Sequence, residues 1–260
     1  MQIHFYKYQG TGNDFILLDN REHTFDSLET EQIKLLCNRR FGVGADGLML
    51  LQNSSQFDFE MTYFNSDGNE SSMCGNGGRC ITAFAKKLNI ISNKAHFKAI
   101  DGEHFATINE KNIVELNMND VNKIQSHETF FELNTGSPHY VHFTDYIHEL
   151  DVKKEGELIR YSPRFKEEGI NVNFVEKLKE NKIFVRTYER GVEDETYSCG
   201  TGVVASAIAF KCENEGSHKI EIETLGGNLE VNFENVNQRQ FIQIKLIGAA
   251  TFVFLGDIEL

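Results

Sequence analysis

Two cysteines stand out because each is followed by the pattern Gly-polar-Gly and then by an apolar run. The first motif is Cys74-Gly75-Asn76-Gly77, and the second is Cys199-Gly200-Thr201-Gly202. A cysteine at a helix N-terminus lies in the positive end of the helix dipole, which favours the thiolate over the thiol. The glycines let backbone N–H groups approach an anion such as a carboxylate closely. Two such motifs in one chain predict a pair of thiols that act on one substrate.

The segments around both motifs follow one order: strand, loop, cysteine motif, helix and three strands. Hydrophobic periodicity and turn residues predict these elements. The predicted strands lie at 57–63, 96–100, 104–109 and 113–118 in the first half, and at 182–188, 218–224, 228–233 and 240–246 in the second. The repetition predicts an α+β fold of two pseudo-symmetric domains, each a curved antiparallel sheet or barrel around a central helix.

The repeat also predicts where the domains divide. We expect an N-terminal domain of residues 1–119 together with 250–260, which contains Cys74, and a C-terminal domain of residues 120–249, which contains Cys199. Residues 250–260 are expected to form a strand that returns to the first domain. Near the N-terminus we expect strands at 3–8 and 15–19.

A glycine-rich segment, Gly42-Val43-Gly44-Ala45-Asp46-Gly47, has the literal spacing G-x-G-x-x-G. A predicted helix capped by Thr30 precedes it and a predicted strand at 48–52 follows it. A dinucleotide-binding fingerprint needs the reverse order, so we do not predict a Rossmann site. The cysteines lack structural-zinc spacing and the nine histidines contain no H-x-x-x-H pair, so we expect no metal site.

Composition excludes several classes of partner. The net charge of −13 disfavours nucleic acid and anionic membranes. The N-terminus lacks a signal-peptide apolar region, and the five cysteines contain no C-x-x-C pair, so we expect a reduced cytoplasmic protein. Cys37, Cys80 and Cys212 lie on apolar helical segments and are expected to be core residues. The acidic segment 193–195 is expected to be a solvated loop.

Two thiols that face each other across an interdomain cleft could invert a stereocentre. A carboxylate held by both helix N-termini would place the substrate α-carbon between the sulfurs. One thiolate could then remove the α-proton while the other thiol protonates the opposite face. Hydrogen bonds and helix dipoles at the carboxylate would stabilise the developing carbanion.

Along its whole length the chain resembles the diaminopimelate epimerases. The shared motifs are Gly12-Asn13-Asp14-Phe15, Gly42-Val43-Gly44-Ala45-Asp46-Gly47, Met73-Cys74-Gly75-Asn76-Gly77, Pro138-His139, Asn171-Val172-Asn173-Phe174, Glu189-Arg190-Gly191 and Cys199-Gly200-Thr201-Gly202. The resemblance implies a cofactor-independent enzyme that interconverts LL- and meso-2,6-diaminopimelate, on the route to lysine and peptidoglycan.

The resemblance also implies roles for individual residues. Cys74 and Cys199 match the two acid/base thiols. The matches to substrate-binding positions are Asn13 at the reacting end, backbone groups of Gly75, Asn76, Gly200 and Thr201 at the reacting carboxylate, and Asn65, Asn171, Glu189 and Arg190 elsewhere on the substrate. Of these, Asn65, Asn171 and Arg190 match the positions that recognise the distal end. His139 and Glu189 match positions that tune the thiol pKa values.

Two positions depart from the family pattern. Ser137 stands where many members have asparagine before the Pro-His pair, and Gly47 stands where some members carry glutamine. A serine can hydrogen-bond but reaches less far, and a glycine can contact a ligand only through its backbone.

Other functions remain open at this stage. The nearest alternative is an epimerase or racemase of the same architecture that acts on proline or 4-hydroxyproline. A related isomerase without the thiol pair would match the fold but not the cysteines. A third alternative is a binding protein in which Cys74 and Cys199 form a redox-switch disulfide. The sequence leaves both a monomer and a homodimer open.

Overall fold

The computed structural model describes residues 1–260, which divide into two compact units. Unit 1 consists of Met1–Leu116 and Ala249–Leu260, and unit 2 consists of Asn117–Gly248. Strands predominate, and four helices accompany them, which confirms the predicted α+β class. No helix in the chain is both long enough and apolar enough to cross a membrane.

Unit 1 has two helices, α1 (Thr30–Cys37) and α2 (Gly75–Lys87). Its strands are β1 (Gln2–Gly10), β2 (Asn13–Asp19), β3 (Gly47–Gln52), β4 (Phe59–Asn65), β5 (Glu70–Ser71), β6 (Lys94–Ala99), β7 (Gly102–Ile108), β8 (Ile113–Asn117) and β18 (Thr251–Glu259). The pairing order is β18-β1-β2-β3-β4-β6-β7-β8, with the short β5 also on β4. The last strand of the chain therefore lies beside the first.

Unit 2 has two helices, α3 (Val152–Arg160) and α4 (Gly200–Lys211). Its strands are β9 (Ile124–Ser126), β10 (Phe131–Asn134), β11 (Pro138–Phe143), β12 (Asn171–Lys179), β13 (Lys182–Glu189), β14 (Asp194–Thr196), β15 (Gly216–Thr224), β16 (Gly227–Asn235) and β17 (Phe241–Ala249). They pair in the order β9-β10-β11-β12-β13-β15-β16-β17, with β14 also on β13. This order repeats that of unit 1 strand for strand.

The sheets are mixed, which amends the expectation of antiparallel sheets. In unit 1, β2–β3 and β4–β6 pair in parallel, and in unit 2 β11–β12 and β13–β15 do so. Each parallel pair is joined through a segment that contains a helix, because parallel neighbours require a crossover connection. The helices that matter for the site, α2 and α4, occupy the second crossover of their units.

The two site helices, α2 and α4, are largely buried, and small residues predominate in their first turns. In α2 every residue from Gly75 to Ala85 is buried, and in α4 nine of the twelve residues are. The sequence of α4 is apolar on nearly every side, as expected of a core helix, whereas α2 also buries polar side chains such as Asn76 and Arg79. In unit 2 the side chains around α4 are those of Ile183, Ile220 and Val231, among other strand residues. Each cysteine motif is therefore attached to a buried helix of its unit.

Several local predictions need correction. Glu29, not Thr30, caps α1, because Glu29 and Gln32 form a reciprocal capping box. The strands between residues 119 and 182 and helix α3 were not predicted. The segment 193–195 is not a solvated loop: Asp194–Thr196 forms β14, and Arg186 binds Glu195 through Nε and Nη2 at 2.7 and 2.8 Å. Cross-strand pairing with a partly buried arginine explains why this charged segment is ordered.

Candidate functional site

In unit 1, Cys74 is the N-cap residue of α2. Its backbone is extended (φ −97°, ψ 152°), and its Sγ accepts a hydrogen bond from the backbone N–H of Gly77 at 3.2 Å. The thiol takes the place of the usual Ser or Asp cap. It accepts a hydrogen bond from one of the N–H groups that have no partner within the helix. The sulfur therefore lies where the helix dipole favours negative charge.

Asn13 lies against the same helix start. Its Oδ1 is 3.8 Å from Cys74 Sγ and accepts a hydrogen bond from Asn76 Nδ2 at 3.3 Å. Its Nδ2 donates to Asp46 Oδ2 at 2.7 Å. Because a carboxylate can only accept, this contact fixes the amide so that the oxygen faces Cys74. The structure thus brings together three of the residues predicted for the reacting end: Asn13, Cys74 and Asn76.

Asp46 is itself held in place by a cluster of four charges. Arg39 Nη2 is 2.6 Å from Asp46 Oδ1 and 2.6 Å from Asp14 Oδ1, and Lys7 Nζ is 2.7 Å from Asp14 Oδ2. Burial raises the pKa of Asp14, but the hydrogen bonds and charges of Arg39 and Lys7 outweigh that effect and lower the pKa to about 2. The loop that carries Asn13 is therefore anchored by a network of ion pairs.

Asn65 and Gly47 lie on neighbouring strands of unit 1, where Gly47 directly follows Asp46. Asn65 is the exposed last residue of β4 and pairs in register with Gly47 of β3. A Cβ at Gly47 would lie 2.5 Å from Tyr63 Cε2 and 2.6 Å from the Phe64 carbonyl oxygen. Tyr63 fills the space that a side chain at position 47 would need, which explains why glycine stands there.

In unit 2, Cys199 is the N-cap residue of α4 and is 6% exposed. Its Sγ is 3.6 Å from Thr201 Oγ1. The Thr201 carbonyl accepts a hydrogen bond from Thr135 Oγ1 at 2.9 Å, which ties the first turn of the helix to the segment after β10. Gly200 and Thr201 are thus at the helix start, where unpaired N–H groups can bind an anion.

A buried polar network lies beside this helix start. Asn173 Nδ2 donates to the Tyr140 carbonyl at 3.0 Å and to His139 Nδ1 at 3.1 Å, while its Oδ1 accepts from Thr187. His139 is fully buried, and burial, together with the charge of Arg190, lowers its pKa to about 3. His139 is therefore neutral at pH 7 with its proton on Nε2, a donor that no acceptor within the chain satisfies.

Two of the three residues predicted for the distal end of the substrate, Asn171 and Arg190, lie together in unit 2, whereas Asn65 belongs to unit 1. Asn171 Oδ1 accepts from the backbone N–H of Arg190 at 2.9 Å, and its Nδ2 donates to Ser137 Oγ at 2.8 Å. The Arg190 guanidinium donates to Ser137 Oγ at 3.3 Å and to the Glu168 carbonyl at 3.0 Å. These contacts use two of its five N–H groups and leave donors for a carboxylate.

Gly169 makes this placement of Arg190 feasible. It has a positive φ of +75°, and a Cβ there would lie 2.6 Å from Arg190 Cδ. A side chain at position 169 would displace the arginine. Glu189 lies one residue earlier, where its Oε2 accepts from Thr196 Oγ1 at 2.9 Å.

The remaining cysteines are core residues, as predicted. Cys37, Cys80 and Cys212 are at most 9% exposed. Burial raises the pKa of Cys37 and of Cys80 to about 12 and raises that of Cys212. All three remain thiols at neutral pH.

Sequence reasoning assigned no role to two residues that the geometry places beside the site, Asp46 and Asn173. Ser137, which was singled out as a departure from the family pattern, bonds Asn171 and Arg190. Asp46 was set aside with the glycine-rich pattern, although a carboxylate among glycines is a candidate ligand for polar groups. Asn173 shares a face of β12 with Asn171, and two asparagines at period two on a buried strand indicate a buried hydrogen-bond network.

The family model described as diaminopimelate epimerase matches residues 5–124 and 131–253. The chain is 56% identical over 250 residues to the diaminopimelate epimerase of Flavobacterium psychrophilum, covering 96% of this chain and 97% of that one. It is 39% identical to the diaminopimelate epimerase of Chlorobaculum tepidum, covering 96% and 99%.

Solved structures resemble the chain in fold. A PhzF-family phenazine biosynthesis protein of Bacillus anthracis has a TM-score of 0.78 at 12% identity, covering all of both chains. A hydroxyproline epimerase of Agrobacterium vitis, with bound trans-4-hydroxy-L-proline, has a TM-score of 0.71 at 12% identity, covering 99% of this chain and 92% of that one. At this identity the likeness concerns the fold alone, whereas the sequence matches are far higher and span nearly the whole chain. The chain belongs to the diaminopimelate epimerase family.

Proposed function

We propose that this chain interconverts LL- and meso-2,6-diaminopimelate without a cofactor, as a step in lysine and peptidoglycan precursor biosynthesis. Family membership supports the substrate. The observation that carries the chemistry is that Cys74 and Cys199 each cap a buried helix whose first residues offer backbone N–H groups to an anion. The two units then act as the two epimerase domains.

In the proposed reaction, the N–H groups at the starts of α2 and α4 bind the carboxylate of the reacting centre. Negative charge that develops as the α-proton leaves is stabilised by these hydrogen bonds and by the helix dipoles. One cysteine acts as a thiolate base, and the other, as a thiol, protonates the opposite face. The proton removed and the proton delivered belong to different sulfurs, so the two thiols exchange roles in each turnover.

Asn13 contributes at the reacting end because Asp46 fixes its amide with the oxygen towards Cys74 and Asn76. In unit 2, the neutral His139 tunes the environment of the helix start through its unsatisfied Nε2–H, and Glu189 contributes to the same tuning. A neutral imidazole suits a site that must hold sulfur as thiol and as thiolate in turn.

At the distal end, Arg190 binds the second carboxylate with its remaining N–H groups, and Asn65 and Asn171 contact the second amino-acid group. Arginine suits this role because its planar fork matches a carboxylate. Ser137 bonds both Asn171 and Arg190, so we assign it to positioning them. The proposal needs a small-molecule partner only, and the net charge of −13 disfavours nucleic acid and anionic membranes; we place the enzyme in the cytoplasm.

The direct test is turnover of a substrate panel by the purified chain under reducing conditions. LL-diaminopimelate should yield the meso isomer, measured by chiral chromatography, whereas L-proline and trans-4-hydroxy-L-proline should not epimerise. Cys74→Ser and Cys199→Ser should each abolish turnover, because a serine hydroxyl is too weak an acid to serve as the resting base.

Cys212→Ser is the matched control, since Cys212 lies at the other end of α4 and should leave turnover intact. Epimerisation of proline substrates, or near-normal turnover by either of the first two variants, would contradict the proposal. Activity that requires an oxidised Cys74–Cys199 disulfide would favour the redox alternative.

A further inference from the structure

Arg79 is the largest fully buried side chain of the protein, and its hydrogen-bond partners are all neutral. It lies on α2, five residues after Cys74. Its Nη2 donates to Thr11 Oγ1 at 2.9 Å, its Nη1 to the Gly75 carbonyl at 3.4 Å and its Nε to the Ala249 carbonyl at 3.5 Å. No carboxylate is within ion-pair distance of the guanidinium.

A buried charge of this kind is unusual. Charged groups inside proteins are normally paired, because desolvation of an isolated ion is costly. Burial lowers the pKa of Arg79, but arginine keeps its proton in proteins because its ordinary pKa is so high. Unit 1 therefore contains a buried cation whose compensating anion must be a group that can become negative.

The titratable groups on the elements packed against α2 leave few choices for that anion. On β1 and β2, Lys7 and Asp14 belong to the cluster with Arg39 and Asp46, in which two positive charges balance two negative charges. Further along the packed strands, His4, Asp19 and Glu103 pair with Asp257, Arg21 and His96, and the Tyr6 ring packs on Phe84. The groups that remain are Tyr8 of β1, His104 and its partner Asp101 at the β6–β7 turn, and Cys80 and Cys74 of α2.

Most of these remaining groups can be excluded. Asp101 is excluded because its carboxylate already has other partners: it lies 3.2 Å from His104 Nε2 and accepts from the backbone N–H of Met73 at 3.5 Å. Burial raises the pKa of Tyr8 and that of Cys80, the latter to about 12, so neither is an anion at neutral pH. Cys74 is the one candidate anion that remains. It directly precedes Gly75, whose carbonyl accepts a hydrogen bond from Arg79 Nη1.

We propose that the buried guanidinium of Arg79 is the counter-cation of the Cys74 thiolate, so that Cys74 rather than Cys199 carries the negative charge when no substrate is bound. Arg79 is then a positioning residue that acts through Cys74. For its catalytic meaning this inference rests on the two-thiol function proposed above, but it concerns protonation, which can be measured without turnover. Electrostatic coupling is reciprocal: negative charge on Cys80 or on Cys74 would raise the pKa of Arg79, so the cation favours either thiolate. Because burial keeps Cys80 a thiol, the coupling falls to Cys74.

Unit 2 lacks such a cation at the equivalent place. Five residues after Cys199 stands Val204, which is fully buried in an apolar cluster. The buried polar groups beside the start of α4 are His139, Asn173 and Thr187, and burial keeps the histidine neutral. The two halves of the repeat thus place their cysteines in the same backbone setting but in different electrostatic surroundings.

The test is the pH dependence of alkylation by iodoacetamide, read separately for each cysteine by peptide mass spectrometry after quenching. Only the thiolate reacts, so the midpoint of rate against pH reports protonation whatever the exposure of the sulfur. In the unsubstituted protein, the midpoint for Cys74 should lie at least about one pH unit below that for Cys199. At pH values below both midpoints, this corresponds to a tenfold larger thiolate fraction for Cys74. Equal or reversed midpoints would overturn the proposal.

Arg79→Met removes the charge and keeps the length of the side chain. The midpoint for Cys74 should rise by about one unit while that for Cys199 stays in place. Thr82→Val is the matched control, because Thr82 is fully buried on the same helix, bonds the Gly78 carbonyl and carries no charge; it should leave both midpoints unchanged.

The outcomes separate this proposal from the proposed function. If Arg79→Met folds, by circular dichroism, and the Cys74 midpoint does not move, Arg79 only supports the structure. If the variant does not fold, the proposal is judged from the unsubstituted protein: a lower midpoint for Cys74 than for Cys199 supports it, and equal or reversed midpoints overturn it. A chain that does not epimerise diaminopimelate can still show the predicted midpoints, and an active epimerase can lack them.

Discussion

Replacing Asp14 with asparagine removes one of the two anions of the cluster that anchors the Asn13 loop. Arg39 donates to its carboxylate through Nη1 and Nη2 at 3.0 and 2.6 Å, and Lys7 Nζ is 2.7 Å away. Burial raises the pKa of Asp14, but the arginine and the lysine lower it from 3.8 to about 2. The carboxylate is therefore more acidic in the folded chain than in the unfolded chain.

The pKa shift sets the size of the effect. One pKa unit corresponds to about 1.4 kcal/mol, so the ionised carboxylate stabilises the folded state by about 2 kcal/mol. Because the folded pKa is the lower one, this stabilisation is fully present above the unfolded value of 3.8 and is lost as the pH falls towards 2. Asp14→Asn should therefore lower the free energy of unfolding by about 2 kcal/mol at pH 7 and by about 1 kcal/mol less at pH 3.

Urea denaturation followed by circular dichroism at the two pH values measures this difference. Comparing the two pH values separates the titration of Asp14 from any cost of repacking that is independent of pH. Asp257→Asn is the matched control: it removes an exposed carboxylate 3.0 Å from His4 and should change stability by less than about 0.5 kcal/mol at either pH. If Asp14→Asn costs the same at pH 7 and pH 3, the cluster does not stabilise the ionised carboxylate as reasoned here.

Three further substitutions test the site and its support. Arg190→Ala should lower kcat/KM for diaminopimelate by on the order of 2 kcal/mol, or about 30-fold, through loss of a charge-assisted contact, and an unchanged value would count against a distal carboxylate site there. Asp46→Ala should lower kcat/KM about tenfold or more, because the Asn13 amide loses the acceptor that orients it; steady-state kinetics with unaltered values would remove Asp46 from the account. Arg186→Met should lower the free energy of unfolding by about 2 kcal/mol, since Glu195 and two backbone carbonyls lose their donor, and a midpoint in urea equal to that of the parent would contradict this.

The sequence was most informative where a local pattern determines the structure. The cysteine motifs predicted the starts of α2 and α4 because each motif is followed by an apolar run of helical length. The order of strands around each helix followed from periodicity and turns. The crossovers that make the sheets mixed were less visible, because α1 and α3 are short and α3 buries only Val152 and Gly156.

Contacts between distant parts of the chain were not predictable from local pattern. Asp46 orients Asn13 across 33 residues, and Arg79 bonds Thr11 across 68. Arg186 orders Glu195 through strand pairing, which changes a charged segment from a loop into a strand. In each case the deciding partner is brought close by the sheet rather than by sequence spacing.

The central claim, that two separate thiols act on opposite faces of one α-carbon, is tested most directly by solvent isotope incorporation. LL-diaminopimelate is turned over in heavy water and sampled early, before the reverse reaction contributes. The donating thiol has already exchanged with solvent, so the meso product should carry deuterium at its inverted α-carbon, while recovered LL substrate is labelled more slowly. Early meso product that is largely protiated would show that a single base carries the original proton across, and would contradict the assignment of Cys74 and Cys199 as an acid/base pair.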